Sequence, residues 1–230
     1  ENGDLCDFLE EGFAAAGKTG PEYYGPSRPG ITEAEATFRI LSFANVLDCP
    51  MYGVHVSTKE AMDVIDMFRQ WNKAPIFAET CTHYLTLTNE DTLKLGTLAK
   101  VSPPLREKEH VDALWQAVIA GRIDVIGSDT AGHMLKSKEP RFGNVFNAAS
   151  GLPGQETMFT VTYDEGFNRR GVSLPRLVEL MAEKPAKIFG LFPKKGVLQP
   201  GSDADVLIFD PTKEHVITAS STHTKTDYSM

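Results

Sequence analysis

Apolar residues recur at helical intervals in several stretches of the chain. Ile40, Leu41, Ala44 and Leu47 follow Thr32 and Glu35, whose spacing is that of a capping box, and predict a helix over about 33–47. Ser57 with Glu60 repeats the spacing ahead of Ala61, Val64, Ile65 and Phe68, which predicts a second helix over about 58–71. Val111, Leu114, Trp115 and Val118 line one side of a third over about 107–120, with Gly121 placed to cap its C-terminus. Ser173 precedes a helix carrying Leu177, Val178 and Met181, and Pro185 opens a short one ended by Gly190.

Between these lie short apolar runs bounded by turn residues: Met51 to Val56, Pro75 to Ala78, Ala99 to Ser102 and Ile123 to Gly127. They are almost continuously apolar rather than alternating, as in a parallel sheet covered on both faces, and they are spaced by helices. The pattern predicts an α/β fold with parallel strands. After Gly190 the character changes. Gly196 to Gly201 is rich in turn residues, and Asp205 to Phe209 and His215 to Thr218 read as antiparallel strands with no helix between them. A boundary is expected near residue 195, with the start of a small β domain over 196–230.

Composition narrows the function classes. The chain has 230 residues, 41% hydrophobic and 23% charged, and no apolar run approaches the roughly 20 residues that cross a bilayer. Lys and Arg number 23 against 31 Asp and Glu, a formal net charge of -8 with no dense basic block, so neither nucleic acid nor an anionic membrane is an expected partner. Cys6, Cys49 and Cys81 form no C-x-x-C pair, which fits reduced thiols in the cytoplasm. The first residues, Glu1-Asn2-Gly3-Asp4, carry neither an initiator Met nor a signal peptide, as if the reading began partway through a longer polypeptide.

His55 lies near the end of the run Met51 to Val56, and Asp129 stands just beyond Val125-Ile126-Gly127-Ser128. The C-terminal ends of parallel strands share one edge, where α/β sheets and barrels build their sites, so the two side chains can converge there. Imidazole and carboxylate are ordinary ligands of zinc, which acidifies a bound water to near neutral pH. The plainer alternative, a core histidine and a turn aspartate, stays open, and two ligands are too few for a catalytic zinc. Cys81-Thr82-His83 is a second metal-like pair, but one intervening residue is not a zinc-finger spacing and the thiol needs further partners. Packing and a supporting hydrogen bond are the favoured reading of His83. Val101 to Arg106 carries two prolines that fix the backbone, so Ser102 either presents main-chain groups to a polar substrate or ends a strand in a plain turn. Ser150-Gly151-Leu152-Pro153-Gly154 is a loop that lets backbone approach a ligand. His110, His133, His215 and His223 have surface-like contexts.

Six segments in order, Gly-Val-His55-Val-Ser, Glu79-Thr-Cys-Thr-His83-Tyr-Leu, Lys100-Val-Ser102-Pro-Pro-Leu-Arg106, Ile126-Gly-Ser-Asp129, Ser150-Gly-Leu-Pro-Gly154 and Gly201 to Asp210, resemble the hydantoinase and dihydropyrimidinase group of cyclic amidohydrolases over essentially the whole chain. The resemblance implies the later part of a (β/α)8 TIM barrel over 1–195, including its sixth to eighth strands, followed over 196–230 by part of a small β-sandwich. It implies two divalent metal ions, usually Zn2+, bridged by a carboxylated lysine that lies outside this chain, as do a His-x-His pair and a further histidine just before Glu1. It also implies a homotetramer.

Carried over by motif, His55 is expected to hold a metal. Asp129 is expected to ligate metal and to act as general base, taking a proton from a metal-bridging hydroxide and passing it to the departing amide nitrogen. Ser102 is expected to bind the cyclic imide through its main chain. Ser150 stands where the family usually has Asn doing the same. Thr82 and Thr130 also depart from the family's usual Pro and His, so ring substituents are expected to be read differently. The implied activity is opening of the cyclic amide of a hydantoin or dihydropyrimidine. Alternatives are an allantoinase or dihydroorotase, though no cation is singled out for a dihydroorotate carboxylate, and a non-catalytic scaffold like the collapsin response mediator proteins.

Overall fold

In the computed structural model, which describes residues 1–229, the elements run α1 (Gly3–Ala15), α2 (Gly30–Leu47), β1 (Met51–Gly53), α3 (Lys59–Trp71), β2 (Ile76–Cys81), α4 (Thr82–Thr86), α5 (Asn89–Leu95), α6 (Lys108–Ile119), β3 (Val125–Gly127), α7 (Leu135–Lys138), α8 (Met158–Tyr163), α9 (Leu174–Val178) and α10 (Lys184–Ile188). The three strands form one parallel sheet in the order β1-β2-β3, with Gly53 opposite Ala78 and Cys81 opposite Gly127. This is the α/β fold with parallel strands that the apolar runs predict. Among the described residues no helix is long and apolar enough to cross a membrane.

The helices pack because their apolar spacing matches the helical period. α3 buries Ala61, Met62, Ile65 and Phe68, and α6 buries Val111, Leu114, Trp115, Ala117 and Val118, in one core with Ile76, Ala78, Ile126, Leu177 and Leu180. A large aliphatic or aromatic side chain fully removed from water contributes about 1.5–3 kcal/mol. Trp115 also donates its indole N–H to the Leu85 carbonyl at 2.7 Å, so its polar end is satisfied inside the core. At the opposite end of the sheet from the predicted site residues, the Asp124 carboxylate accepts the Ala78 amide at 2.9 Å and pairs with Arg69 and with Lys184.

Several local devices differ from those the sequence predicts. α2 starts at Gly30 with Pro29 at its cap position, so Thr32 is not a cap; its hydroxyl donates to the Pro29 carbonyl, and Glu35 accepts from Asn2 instead. Thr58, not Ser57, caps α3 by accepting from the Ala61 amide at 3.2 Å. Ser57 is recruited into a buried network: its amide and hydroxyl donate to Glu33, and its hydroxyl accepts from Arg106 Nε at 3.0 Å. α1, capped by Asn2, and α5, held by a Thr88–Asp91 capping box, are elements the apolar spacing does not reveal. α9 does carry the predicted Ser173 cap, and it runs on through a wide helical turn at Glu179–Glu183 into α10.

Two groups of predicted strands do not form. Ala99 to Ser102 is a tight turn over Gly96–Ala99 followed by irregular backbone, because the Lys100 carbonyl accepts from the Gly151 amide and from the Lys138 ammonium rather than from a neighbouring strand. Asp205 to Phe209 and His215 to Thr218 pair with no strand among the described residues, and Ile208 is left 93% exposed. A strand is defined by its ladder, and apolar residues without a partner edge make none.

Arg106 and Glu33 are each only 5% exposed and their side chains lie 3.4 Å apart, with Glu1 at the same distance from the guanidinium. Removing one partner of a buried ion pair strands the other charge, at a cost of about 3–5 kcal/mol. Arg106→Ala is therefore expected to lower the denaturation midpoint sharply in urea titrations, whereas an unchanged midpoint would show that this network does not hold the fold.

Candidate active site

The parallel register carries the candidate residues to one edge. β1 ends at Gly53 and the chain turns at His55, whose φ is 43°; the Val56 amide then rejoins β2 by donating to the Glu79 carbonyl at 2.7 Å. β3 ends at Gly127, and Asp129 turns in the same way with φ 42°. A positive φ is uncommon for any residue with a Cβ, although Asp and His tolerate it better than most. Both residues thus leave their strands in the left-handed region, at the same end of the sheet.

Asp129 is exposed and His55 half-buried. Desolvation by its surroundings pushes the Asp129 carboxyl above its ordinary range, and the nearby His55 partly offsets this. The parallel sheet brings both residues to the same edge.

Ser102 and Ser150 also meet. Their hydroxyls lie 2.9 Å apart, and Ser102 Oγ is 2.5 Å from the Tyr24 hydroxyl, which closes a chain of three. Lys100 Nζ sits 4.8 Å over the Tyr24 ring while donating to the carbonyls of Val145, Phe146 and Ala148. Among the described residues the Ser102 amide and carbonyl have no hydrogen-bond partner. The Ser150 carbonyl meets His133 Nε2 at 3.0 Å. Gly151, at φ 133°, lies so close to the loop after β3 that a Cβ would stand 2.3 Å from that of Ala131. Only glycine fits there, and the Ala131 amide bonds the Leu152 carbonyl at 3.0 Å, seating the Ser150 loop beside Asp129.

The cluster that residue-by-residue reasoning left incomplete is Cys81, His83 and Asp129. One ligand atom from each lies within 4.8 Å of the others. The partner that the Cys81-Thr82-His83 pair lacked is Asp129 from the adjacent strand end, a contact invisible without the strand order. The expected supporting hydrogen bond of His83 is absent: its Nε2 is buried without a partner among the described residues, and its ring packs edge-on against Tyr84 at 4.2 Å. Burial holds the Cys81 thiol far above its ordinary range, with Glu79 and Asp129 adding to the effect.

A model of the amidohydrolase family matches residues 53–229. Over the whole chain, 41% of residues are identical to the D-hydantoinase of Ralstonia pickettii, and the chain covers 50% of that protein. The chain belongs to the amidohydrolase family. A solved D-hydantoinase structure superposes on all of it with a TM-score of 0.94 at 39% identity, and the dihydropyrimidinase from Brevibacillus agri NCHU1002 with a TM-score of 0.92 at 36% identity; the chain covers 50% of each. It therefore spans about half the length of the relatives it matches.

Desolvation, with the charge of His55 adding to it, lowers the His83 imidazole to about 3 from an ordinary value of 6.5. The unfolded chain takes up this proton as pH falls through its ordinary value, and the folded chain does not, so stability declines as pH drops from the ordinary value toward the depressed one. Between about pH 7 and pH 5 this removes about 2 kcal/mol. Metal-free His83→Gln protein should lose less stability than the parent over that interval in urea titrations; equal losses would mean that His83 protonates freely in the fold.

Proposed function

We propose that this chain supplies the sixth to eighth strands of a (β/α)8 barrel over 1–195 and part of a β-sandwich over 196–230, within a metal-dependent hydrolase that opens the cyclic amide of a hydantoin or a dihydropyrimidine. The observation that carries the reading is the placement of His55 and Asp129, both in the left-handed region, at the C-terminal edge of one parallel sheet in a chain similar throughout to a D-hydantoinase. An imidazole and a carboxylate at one sheet edge are a donor set that fits a divalent ion.

His55 and Asp129 would hold such ions, with remaining ligands, including a carboxylated lysine, coming from outside this chain; zinc is the expected metal. When bound, the metals supply Lewis-acid polarisation of the ring carbonyl and lower the pKa of a water. Asp129 takes one proton as the water oxygen adds to the carbonyl carbon, and returns it to the ring nitrogen as the C–N bond breaks. Ring opening consumes one water and leaves a carboxylic acid, which loses its proton to solvent to become a carboxylate, on one side of the broken bond and a neutral NH2 nitrogen on the other. The Ser102 main chain, its hydroxyl held by Tyr24 and Ser150, presents an unpaired amide and carbonyl to the donor and acceptor edge of a cyclic imide. Ser150 acts from the facing loop. The whole protein is expected to be a cytoplasmic homotetramer.

His55 and Asp129 are both in place, which favours a catalyst over a non-catalytic scaffold. Asp129→Ala in the whole enzyme is expected to lower kcat by about 10³-fold or more with the fold intact by circular dichroism. Elemental analysis of the parent should find about two divalent metals per subunit. Near-normal turnover in the variant would remove Asp129 from the chemistry. A panel of hydantoins, dihydrouracil, allantoin and dihydroorotate identifies the ring that is opened, and turnover of none of them would overturn the proposal.

A further inference from the structure

Cys81 and His83 take no part in the chemistry above, yet they lie beside the residue that does. Cys81 ends β2 and is wholly buried; His83 follows on the first turn of α4 and is 7% exposed, with Nε2 unpaired among the described residues. An imidazole nitrogen buried without a partner is costly unless something meets it. Asp129, from the end of β3, closes the group, and because it is exposed the cluster opens to solvent on its carboxylate side.

The three donors differ in kind. A thiolate sulfur prefers soft cations, imidazole suits both soft and intermediate ones, and carboxylate accepts nearly all. On a tetrahedral zinc, with Zn–S near 2.3 Å and Zn–N or Zn–O near 2.0–2.2 Å, ligand atoms stand roughly 3.5 Å apart. The donors here lie within 4.8 Å, so side-chain rotation of about 1 Å at the tips closes them on an ion.

We propose that Cys81, His83 and Asp129 form a second, inhibitory site, sharing Asp129 with the resident centre, for a soft divalent cation such as Cd2+ or excess Zn2+, which captures the Asp129 carboxylate. Binding replaces the thiol S–H bond with a bond from sulfur to the metal, and the proton goes to solvent. The inhibition rests on the role of Asp129 proposed above; the binding does not.

The test adds CdCl2 to the whole enzyme carrying its resident metals, reading the thiolate-to-cadmium charge-transfer absorbance, the bound metals by elemental analysis and turnover in parallel. One additional Cd2+ per subunit is expected, with the new absorbance, retained resident metals and falling turnover. Cys81→Ser should abolish the absorbance, His83→Gln should weaken Cd2+ binding at least tenfold, and Cys49→Ser should leave it intact. Thermal melts of each variant establish that it is folded. No absorbance in the parent, its survival in Cys81→Ser, or unchanged affinity in His83→Gln would overturn the site. Full cadmium occupancy with turnover unaffected would leave the site standing and refute the role of Asp129 in the reaction.

Discussion

Everything at the candidate site depends on the register of three parallel strands. Gly53 stands opposite Ala78 and Cys81 opposite Gly127, so His55 and Asp129 each follow a strand end at the same edge of the sheet. A parallel sheet directs all its strand ends to one side, so residues 74 positions apart in sequence reach the same edge, one from each strand flanking β2. At the other end of β3 the Asp124 carboxylate accepts the Ala78 amide of β2 and pairs with Arg69 of α3 and Lys184 of α10, tying the two strands to the helices that cover them.

Conformation at the two strand ends adds a second constraint. A non-glycine residue in a sparsely populated backbone region costs of order 1–3 kcal/mol and persists only where the surroundings over-determine it. At His55 the surroundings are the bond from the Val56 amide to Glu79 on one side and the buried Glu33–Ser57–Arg106 network on the other. At Asp129 they are the parallel bridge between Thr130 and Leu152 and the tight seat of Gly151 against Ala131. Stability built around α2 and the Ser150 loop is thus used to aim two polar side chains at the sheet edge. Arg106 takes part in both roles, since it anchors Ser57 beside His55 and ends the segment that presents Ser102.

Much of this was legible in the residues. Strands flanking His55 and Asp129, and helices with apolar stripes at Ala61 to Phe68 and Val111 to Val118, follow from periodicity because burial and period coincide there. What was hidden depends on partners distant in sequence. Thr32 and Ser57 have the chemistry of caps, but Pro29 and Thr58 occupy the cap positions once Glu33 draws Ser57 into its own network. The run Ala99 to Ser102 reads as a strand until the Lys100 carbonyl is taken by Gly151 and Lys138. Tyr24 gave no signal because its partners, Ser102 at its hydroxyl and Lys100 over its ring, lie more than 70 residues away. The family motifs located His55, Asp129, Ser102 and Ser150 but did not reveal what their side chains touch.

In the reading proposed above the carboxylate of Asp129 belongs to two donor sets, and their chemistry differs enough to be separated by the choice of ion. With His55 it offers nitrogen and oxygen, which suit borderline cations; with His83 and Cys81 it offers nitrogen, oxygen and sulfur, which favour softer ones. Desolvation decides the default. Burial keeps the Cys81 thiol protonated and the His83 imidazole neutral, so without a metal the second set carries no negative charge except that of Asp129 itself. A cation must displace the thiol proton to use sulfur, whereas at the first set no thiol proton is lost and the carboxylate is already exposed. The carboxylate is therefore left to His55 unless the incoming ion binds sulfur strongly enough to offset that proton loss, which makes softness, rather than charge or size, the property that selects between the two sets.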